Sequence, residues 1–302
     1  MKTIAPGPDV SDTRSYAAFS ADVEDYFQVE ALRCQCPRER WDSYEDRTVD
    51  NTVRLLDLLA RTGTQGTFFV LGWTARRHPH LVRRIVTAGH EIASHGFDHE
   101  LVYNQSPEDF RRDVRRARSL LQDQSGQQVI GYRAPSYTIV KRTGWALSVL
   151  AEEGHLYDSS IFPIPRRRYG MPRAPRWPHR RILEGGASIA EFPLPTVPLG
   201  PLRLPVTGGA YLRLLPFGFQ RWAVRRILRQ NRGFVLTIHP WEMDPGQPRL
   251  PVEPRTRWTH YHNLEAAAWR LEQLLSLASY RPISDVLRTL NLLASGLEGS
   301  AK

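Results

Sequence analysis

Short apolar segments alternate with helical segments along most of the chain, and this alternation limits the fold more than any other feature. Tyr16–Ala21 and Thr67–Leu71 are rich in strand-forming residues, whereas Thr48–Arg61 between them has its apolar residues at helical spacing and is followed by Gly63. Regular alternation of this kind is typical of a parallel sheet with crossover helices. Further strands are predicted at His90–Ser94, Val129–Tyr132 and Phe234–Ile238, and further helices at Leu81–Ala88, Ser106–Gln124, Thr143–Glu153 and Phe219–Gln230.

Two proline-rich stretches interrupt this alternation. We interpret residues 162–216 as a long insertion over one mouth of the sheet, with a lone strand at Ile189–Leu194, and residues 240–258 as a second loop. Residues 262–293 are predicted to form two C-terminal helices. The expected organisation is therefore one α/β domain over residues 15–294, either a doubly wound sheet or a barrel, with short tails at 1–14 and 295–302.

The composition excludes some classes of function and leaves others open. Hydrophobic residues make up 41% of the 302 residues, which is enough for a sizeable core. The net charge is +10, and all but three of the 41 basic residues are arginine. A nucleic-acid-binding protein would concentrate these arginines in a stripe with aromatic residues between them. Along the sequence they are scattered, so we predict no nucleic-acid partner.

Targeting features and cysteines give an expectation about location. No apolar run approaches the ~20 residues that a membrane-spanning helix needs, and the first residues contain no apolar signal segment. Cys34 and Cys36 are too close in sequence for an ordinary disulfide. The sequence therefore predicts a cytoplasmic protein with no membrane span.

Residues suited to catalysis follow four of the predicted strands. Function in parallel α/β sheets collects at the carboxyl ends of the strands. The first strand is followed by the acidic run Asp22-Val23-Glu24-Asp25, and later strands by His95 with His99, by Arg133 and by His239. Taken singly, these groups are also common as turn residues, surface ion pairs or packed histidines. Their occurrence at four strand ends favours a common site, in which two histidines four residues apart have the spacing of metal ligands.

These residues and motifs together resemble the polysaccharide deacetylases of the NodB-homology type, carbohydrate esterase family 4. His95-x-x-x-His99 resembles the family's metal-binding pair, Arg133-x-Pro135 its third motif, and Leu236-x-x-His239 the motif that carries its general acid. The stretches DVEDYFQVEA, SHGFDHELVY, GYRAPSYTI and HPWEMD are similar to a subgroup associated with exopolysaccharide synthesis and exosortase loci. The resemblance implies a distorted (β/α)7 barrel with a divalent metal, usually zinc, held by one carboxylate and two histidines.

The first motif departs from the family pattern and leaves one ligand open. Because Val23 separates Asp22 from the next carboxylate, either Glu24 or Asp25 is the expected metal ligand beside His95 and His99. Residues two apart on a straight strand share a face, which favours Glu24. Two further departures are Gly96, where the family usually has serine or threonine, and Ser136, where it often has tyrosine.

The resemblance also implies roles for the other residues. Asp22 is expected to be the general base, with its anionic form favoured by Arg133, and His239 the general acid. Substrate contacts are expected from Pro135, Tyr137 and Trp241, with Phe162 as a further aromatic candidate.

The expected function is removal of N-acetyl groups from a polysaccharide or oligosaccharide, in exopolysaccharide synthesis. The alternatives are a metal amidohydrolase acting on a small cyclic amide, as in allantoinases, and a non-catalytic carbohydrate-binding relative.

Overall fold

The computed structural model of the protein describes residues 16–166, 168–200, 202–208 and 210–294. The predicted tails at 1–14 and 295–302 lie outside these residues. The strands are β1 Ala17–Val23, β2 Thr67–Val70, β3 Glu91–Ser94, β4 Gly131–Tyr132, β5 Tyr157–Asp158, β6 His179–Ile182, β7 Ser188–Glu191, β8 Thr196–Leu199, β9 Leu202–Pro205, β10 Phe234–Ile238 and β11 Tyr280–Arg281. The helices are α1 Thr48–Arg61, α2 Gly72–Arg77, α3 Pro79–Thr87, α4 Pro107–Ser125, α5 Ala146–Glu152, α6 Tyr211–Leu214, α7 Phe217–Leu228, α8 Pro254–Tyr261, α9 Leu264–Leu275 and α10 Ile283–Thr289.

The main sheet has the strand order β10-β1-β2-β3-β4-β5-β7-β6. Neighbours from β10 to β7 pair in parallel, and β6 is added antiparallel to β7. β11 pairs with the first two residues of β1, and β8 and β9 form a separate hairpin. The predicted α/β class with a parallel sheet is confirmed. Within the described residues, however, the pairing is an open path from β10 to β6 rather than a closed barrel.

The proline-rich segment at 162–216 contributes more to the sheet than an insertion would. The strand expected at Ile189–Leu194 is not a lone strand, because β7 pairs with β5 on one side and with β6 on the other. The loop expected at 240–258 is also shorter than predicted. Helix α8 begins at Pro254, a residue suited to the first position of a helix, where the missing N–H has no helical partner.

Strand β1 is buried along its whole length, as parallel strands covered on both faces are. Phe19 and Ala21 pack in the cluster that contains the apolar residues of α1. Ala18 points to the opposite face, in the cluster of Phe69, Val235 and the apolar residues of α10. Because β1 lies between β10 and β2, the residues that follow it emerge beside the ends of these two strands.

The ends of helices α1 and α4 lie close to the positions that the sequence predicts. Helix α1 has the predicted bounds, and Gly63 behind it takes a left-handed φ of 61°. Ser106 caps α4 by accepting a hydrogen bond from the Asp109 backbone N–H at 3.1 Å. Among the described residues, no helix combines the length and apolar character needed to cross a bilayer.

Candidate active site

The strand ends meet at one cavity of about 260 Å³. Asp22 and Glu24 come from the end of β1, His95 and His99 from the loop after β3, and His239 from the residue after β10. Each of these five side chains is buried and lines the cavity. The rest of the lining is Val29, Glu30, Ala31, Ser136, Tyr137, Arg168, Tyr169, Ala210, Arg213, Trp241, Thr259 and His260. Residues far apart in sequence are thus brought to a single concave site.

Glu24, His95 and His99 form a group suited to a divalent metal. One ligand atom from each lies within 4.8 Å of the others. Glu24 Oε2 is 2.8 Å from His99 Nε2 and 4.0 Å from His95 Nε2. Although buried, this oxygen accepts no well-directed hydrogen bond from the residues that the structure describes. Two imidazole nitrogens and one carboxylate oxygen, with that oxygen unsatisfied, are the donor set of a zinc-type site.

The electrostatic surroundings of these ligands suit a cation. Burial disfavours the Glu24 carboxylate, but His99, His239 and His95 outweigh it and lower the Glu24 pKa to about 2. Burial lowers the pKa of His95 to about 4. His95 Nδ1 lies 2.8 Å from the Arg133 carbonyl oxygen, so this nitrogen carries the proton and Nε2 keeps its lone pair. A carboxylate and a neutral imidazole are the protonation states in which these groups bind metals.

The backbone around the site is held in conformations that most side chains avoid. His99, Ser136 and Tyr137 have φ values of 52°, 51° and 56°. Gly96, directly after the first histidine, has a φ of 76°, and a Cβ there would lie 2.9 Å from Asp113 Oδ2. Left-handed residues other than glycine are uncommon and concentrate at functional sites. The left-handed φ and the close Asp113 oxygen therefore both favour glycine at position 96, where the family pattern has serine or threonine.

Arg133 and Asp22 form a fully buried ion pair. Arg133 Nη1 donates to Asp22 Oδ1 at 2.6 Å and to Ser20 Oγ at 3.0 Å. Its Nε and Nη2 donate to the carbonyl and hydroxyl oxygens of Ser159 at 3.0 and 2.9 Å, and the guanidinium lies over the Phe69 ring. The arginine is thus fixed on several sides. The other carboxylate oxygen of Asp22, Oδ2, lies 3.7 Å from His239 Nε2.

Asp25, the second candidate for the metal carboxylate, lies away from this group. The chain turns after β1, where the Glu24 N–H donates to the Asp22 carbonyl oxygen at 3.0 Å. Asp25 then accepts backbone N–H bonds from Tyr26 at 2.7 Å and Arg47 at 2.6 Å, with the Thr48 hydroxyl at 3.3 Å. Burial raises its pKa to about 7 despite these bonds. Its carboxylate therefore caps the following turn and joins it to α1.

His239 is held by a carboxylate that the sequence reasoning did not assign. His239 Nδ1 lies 2.8 Å from Glu242 Oε1, and Arg213 Nε donates to Glu242 Oε2 at 2.7 Å. Burial disfavours the imidazolium, but Glu24, Glu242 and Asp22 outweigh it and raise the His239 pKa to about 9. Glu242 follows His239 by three residues, a spacing visible in the sequence, whereas Arg213 comes from α6, where no motif indicated it.

The predicted substrate residues differ in their access to the cavity. Tyr137 and Trp241 line it. Trp241 is 4% exposed, stacks against His239 and His260, and directs Nε1 to Glu24 Oε1 at 3.4 Å. Pro135 is buried in the turn before Tyr137 and is not among the lining residues. Phe162 is also absent from the lining, because it packs against Tyr137 in the core.

Two family models match consecutive parts of the chain. The polysaccharide deacetylase family model matches residues 37–152, which contain His95, His99 and Arg133. A second model, the domain of unknown function DUF3473, matches residues 159–288, which contain His239 and Glu242.

Curated relatives match short stretches of the chain. The chain is 34% identical over 110 residues to a peptidoglycan deacetylase-like protein of Gibberella zeae, a stretch covering 36% of this chain and 32% of the relative. It is 36% identical over 63 residues to a peptidoglycan-N-acetylglucosamine deacetylase of Bacillus cereus, covering 21% and 30%. It is 46% identical over 48 residues to a chitooligosaccharide deacetylase of Sinorhizobium fredii, covering 16% and 22%. The matched stretches thus span a third or less of these relatives.

One solved structure matches nearly the whole chain. The crystal structure of a Mycobacterium smegmatis protein assigned as a polysaccharide deacetylase superposes with a TM-score of 0.60 at 24% identity. The superposition covers 98% of this chain and 99% of that one, which shows that the two share a single-domain α/β fold. Residues 37–152 and the stretches matched by these curated relatives are thus similar to polysaccharide deacetylases.

Proposed function

We propose that this protein is a metal-dependent hydrolase that removes N-acetyl groups from a polysaccharide or oligosaccharide. The observation that carries this proposal is the Glu24, His95 and His99 group, which shares one cavity with the Asp22 carboxylate and the His239 imidazole. The names of the curated relatives support an N-acetylated glycan as the substrate. The resemblance to exopolysaccharide-locus proteins supports a glycan of that kind.

Glu24, His95 and His99 would hold the metal. When bound, a zinc-type ion acidifies a water molecule and polarises the amide carbonyl of the substrate. The chain's own residues keep these ligands ready, since the Arg133 carbonyl oxygen orients His95 and the left-handed backbone at His99 turns its ring toward Glu24. Asp25 is not a ligand in this proposal, because its carboxylate caps the turn that follows.

Asp22 is the proposed general base. Its Oδ1 is occupied by Arg133, whereas Oδ2 lies toward the cavity and accepts the proton of the attacking water. Arg133 also stabilises the carboxylate form that this step needs, because the two groups form a close buried ion pair.

His239 is the proposed general acid. Burial disfavours the charged ring, but Glu24, Glu242 and Asp22 raise the His239 pKa and so favour its protonated form, and Nε2 faces Asp22 and Glu24. Donation of this proton to the leaving nitrogen gives the free amine, while the acetyl group leaves as acetate. Glu242 fixes the ring by its bond to Nδ1, so that Nε2 is the nitrogen facing the substrate.

Release of acetate tests the proposal. The full-length protein is assayed on N-acetylated chitooligosaccharides and on peptidoglycan fragments, before and after chelation and after zinc or cobalt is restored. We expect chelator-sensitive release that Asp22→Asn lowers by about 10²–10⁴-fold while metal content is kept. Asp123→Asn, the same substitution at an exposed aspartate, is the matched control and should leave release unchanged. Chelator-insensitive release would contradict the metal role. Glycan binding without release from any substrate would indicate a non-catalytic relative.

A further inference from the structure

Charge is distributed unevenly along the chain, and the most basic part lies outside the site. Between Ser159 and Trp241 the sequence has fourteen arginines and no lysine. The acidic residues of this segment are Glu184 and Glu191, and Glu191 is buried in β7. An excess of positive charge of this size is either neutralised by acidic residues elsewhere in the fold or remains available for an anionic partner.

Six of these arginines gather on one side of the molecule, which we call the arginine face. It consists of Arg176, Arg203, Arg225, Arg226, Arg229 and Arg232. Helix α7 supplies Arg225 and Arg226, and Arg229 directly follows it; these three line one surface depression. Arg203, Arg226 and Arg232 lie close enough to Arg176 for their positive charges to repel it. Burial and these three positive charges lower the Arg176 pKa.

The arginine face has no acidic counterpart in the described part of the chain. None of its six side chains forms an ion pair there with aspartate or glutamate, whereas Arg111 and Arg115 on α4 both pair with Glu153. Arg176 donates to the hydroxyl and carbonyl oxygens of Thr196, and Arg203 to a backbone carbonyl. The positive charge is therefore available to a partner.

Exposed apolar side chains accompany these arginines. Trp222 on α7 is 45% exposed and lies beneath the Arg226 guanidinium. At the turn of the β8–β9 hairpin, Leu199 and Leu202 are 53% and 56% exposed, and Arg203 is the next residue. An aromatic ring and two leucines beside unpaired arginines are the combination that suits the boundary between lipid headgroups and acyl chains.

We propose that the arginine face and the end of the β8–β9 hairpin bind the surface of an anionic phospholipid bilayer. The exposed guanidinium groups of Arg225, Arg226, Arg229 and Arg232 contact lipid phosphates, which arginine can bind in bidentate fashion. Leu199, Leu202 and Trp222 enter the interfacial layer, which a nucleic acid or a soluble anionic glycan does not offer. The exposed leucines therefore favour a membrane over the other polyanions.

This surface and the candidate active site lie toward opposite ends of strand β10. Arg229 and Arg232 precede the strand, whereas His239 follows its carboxyl end. Docking through the arginine face thus leaves the cavity accessible, and the membrane proposal does not depend on the proposed deacetylase activity. Either can fail without the other.

Vesicle co-sedimentation of the full-length protein tests the proposal. The vesicles are phosphatidylcholine alone or an equimolar mixture of phosphatidylcholine and phosphatidylglycerol. We expect binding to the anionic vesicles that weakens as salt rises. Charge reversal by Arg225→Glu with Arg229→Glu should weaken it by about tenfold or more. The matched control is Arg83→Glu with Arg84→Glu, which reverses two exposed arginines on α3 and should leave binding unchanged.

A second variant separates insertion from charge attraction. Leu199→Ser with Leu202→Ser should weaken vesicle binding while its dependence on salt is kept, and circular dichroism checks that each variant is folded. Equal binding to both vesicle types, equal losses in the α3 control, or binding to DNA or dextran sulfate without binding to vesicles would each overturn the proposal.

Discussion

The Glu242 carboxylate lies 2.8 Å from Nδ1 of His239, three residues before it in the chain. Both residues belong to one tight turn at the end of β10, so the orientation of the imidazole is set locally. The second oxygen of Glu242 accepts from Arg213, which ties this turn to α6. Glu242 is thus positioned to raise the basicity of His239 without touching the substrate.

Replacing Glu242 should change the pH dependence of the reaction. The proposed acid works only while His239 is protonated, so activity falls as the pH rises through its pKa. Glu242→Gln removes one of the negative charges that raise this pKa, and the alkaline limb of the kcat profile should move to lower pH by about one unit or more. The exposed Glu184→Gln serves as control. An alkaline limb that stays in place at full rate would contradict the role of Glu242.

The two adjacent carboxylates after β1 should differ in their effect on metal content. Glu24→Gln should lower metal affinity by more than the roughly 10–100-fold loss that is typical when a residue hydrogen-bonded to a metal ligand is removed. Asp25→Asn should keep the metal and lower the free energy of unfolding by about 0.5–2 kcal/mol, because Asp25 caps a turn. Elemental analysis after dialysis and chemical unfolding measure the two effects. Metal loss in Asp25→Asn with metal retained in Glu24→Gln would reverse the assignment.

Gly96 offers a test of the strained loop that carries His95. Gly96→Ala places a Cβ against Asp113 in a left-handed backbone, and strain alone should lower the free energy of unfolding by about 1–2 kcal/mol. Gly126→Ala is a matched control, since Gly126 has a similar φ of 67° and nothing within 4 Å of a Cβ. We expect the position 96 variant to lose more stability and also to bind metal less tightly. Equal stability losses with unchanged metal binding would show that the loop adapts.

The Asp22–Arg133 pair should show strong coupling in a double-mutant cycle. Arg133→Met leaves a buried carboxylate without its cation and should lower the free energy of unfolding by about 3–5 kcal/mol. Asp22→Asn with Arg133→Met should cost less than the sum of the single changes, by about 0.5–3 kcal/mol. Urea unfolding of the four proteins measures this energy. Simple additivity would mean that the pair is not a structural unit.

Most residues of the candidate site could be located from the sequence because strand ends are visible in it. The apolar segments show where β1, β3, β4 and β10 end, and parallel pairing brings those ends to one edge. The sequence alone does not decide which of Glu24 and Asp25 faces the two histidines, because this depends on a backbone turn at the end of β1. Alternation of side chains describes a straight strand and does not indicate where the strand bends.

Features that depend on distant partners were beyond the sequence reasoning. The pairing of Arg213 with Glu242 joins a four-residue helix to a turn 29 residues later, and neither has a periodic pattern. The same is true of β7, whose apolar residues predicted a strand but not its neighbours β5 and β6. The sequence likewise shows that residues 159–241 are rich in arginine, but not which of these arginines form the arginine face, because only the fold brings α7 and the β8–β9 hairpin together.

The pairing of β1 with β10 has a consequence for how the protein is made. β1 is synthesised more than 200 residues before its neighbour β10, as the bond between Ser20 and Thr237 shows at a separation of 217 residues. Pairings between such distant segments form slowly and expose strand edges meanwhile. A nascent chain that ends before Phe234 therefore has an unpaired edge on β1 and lacks His239, so it is vulnerable to aggregation until β10 has been translated.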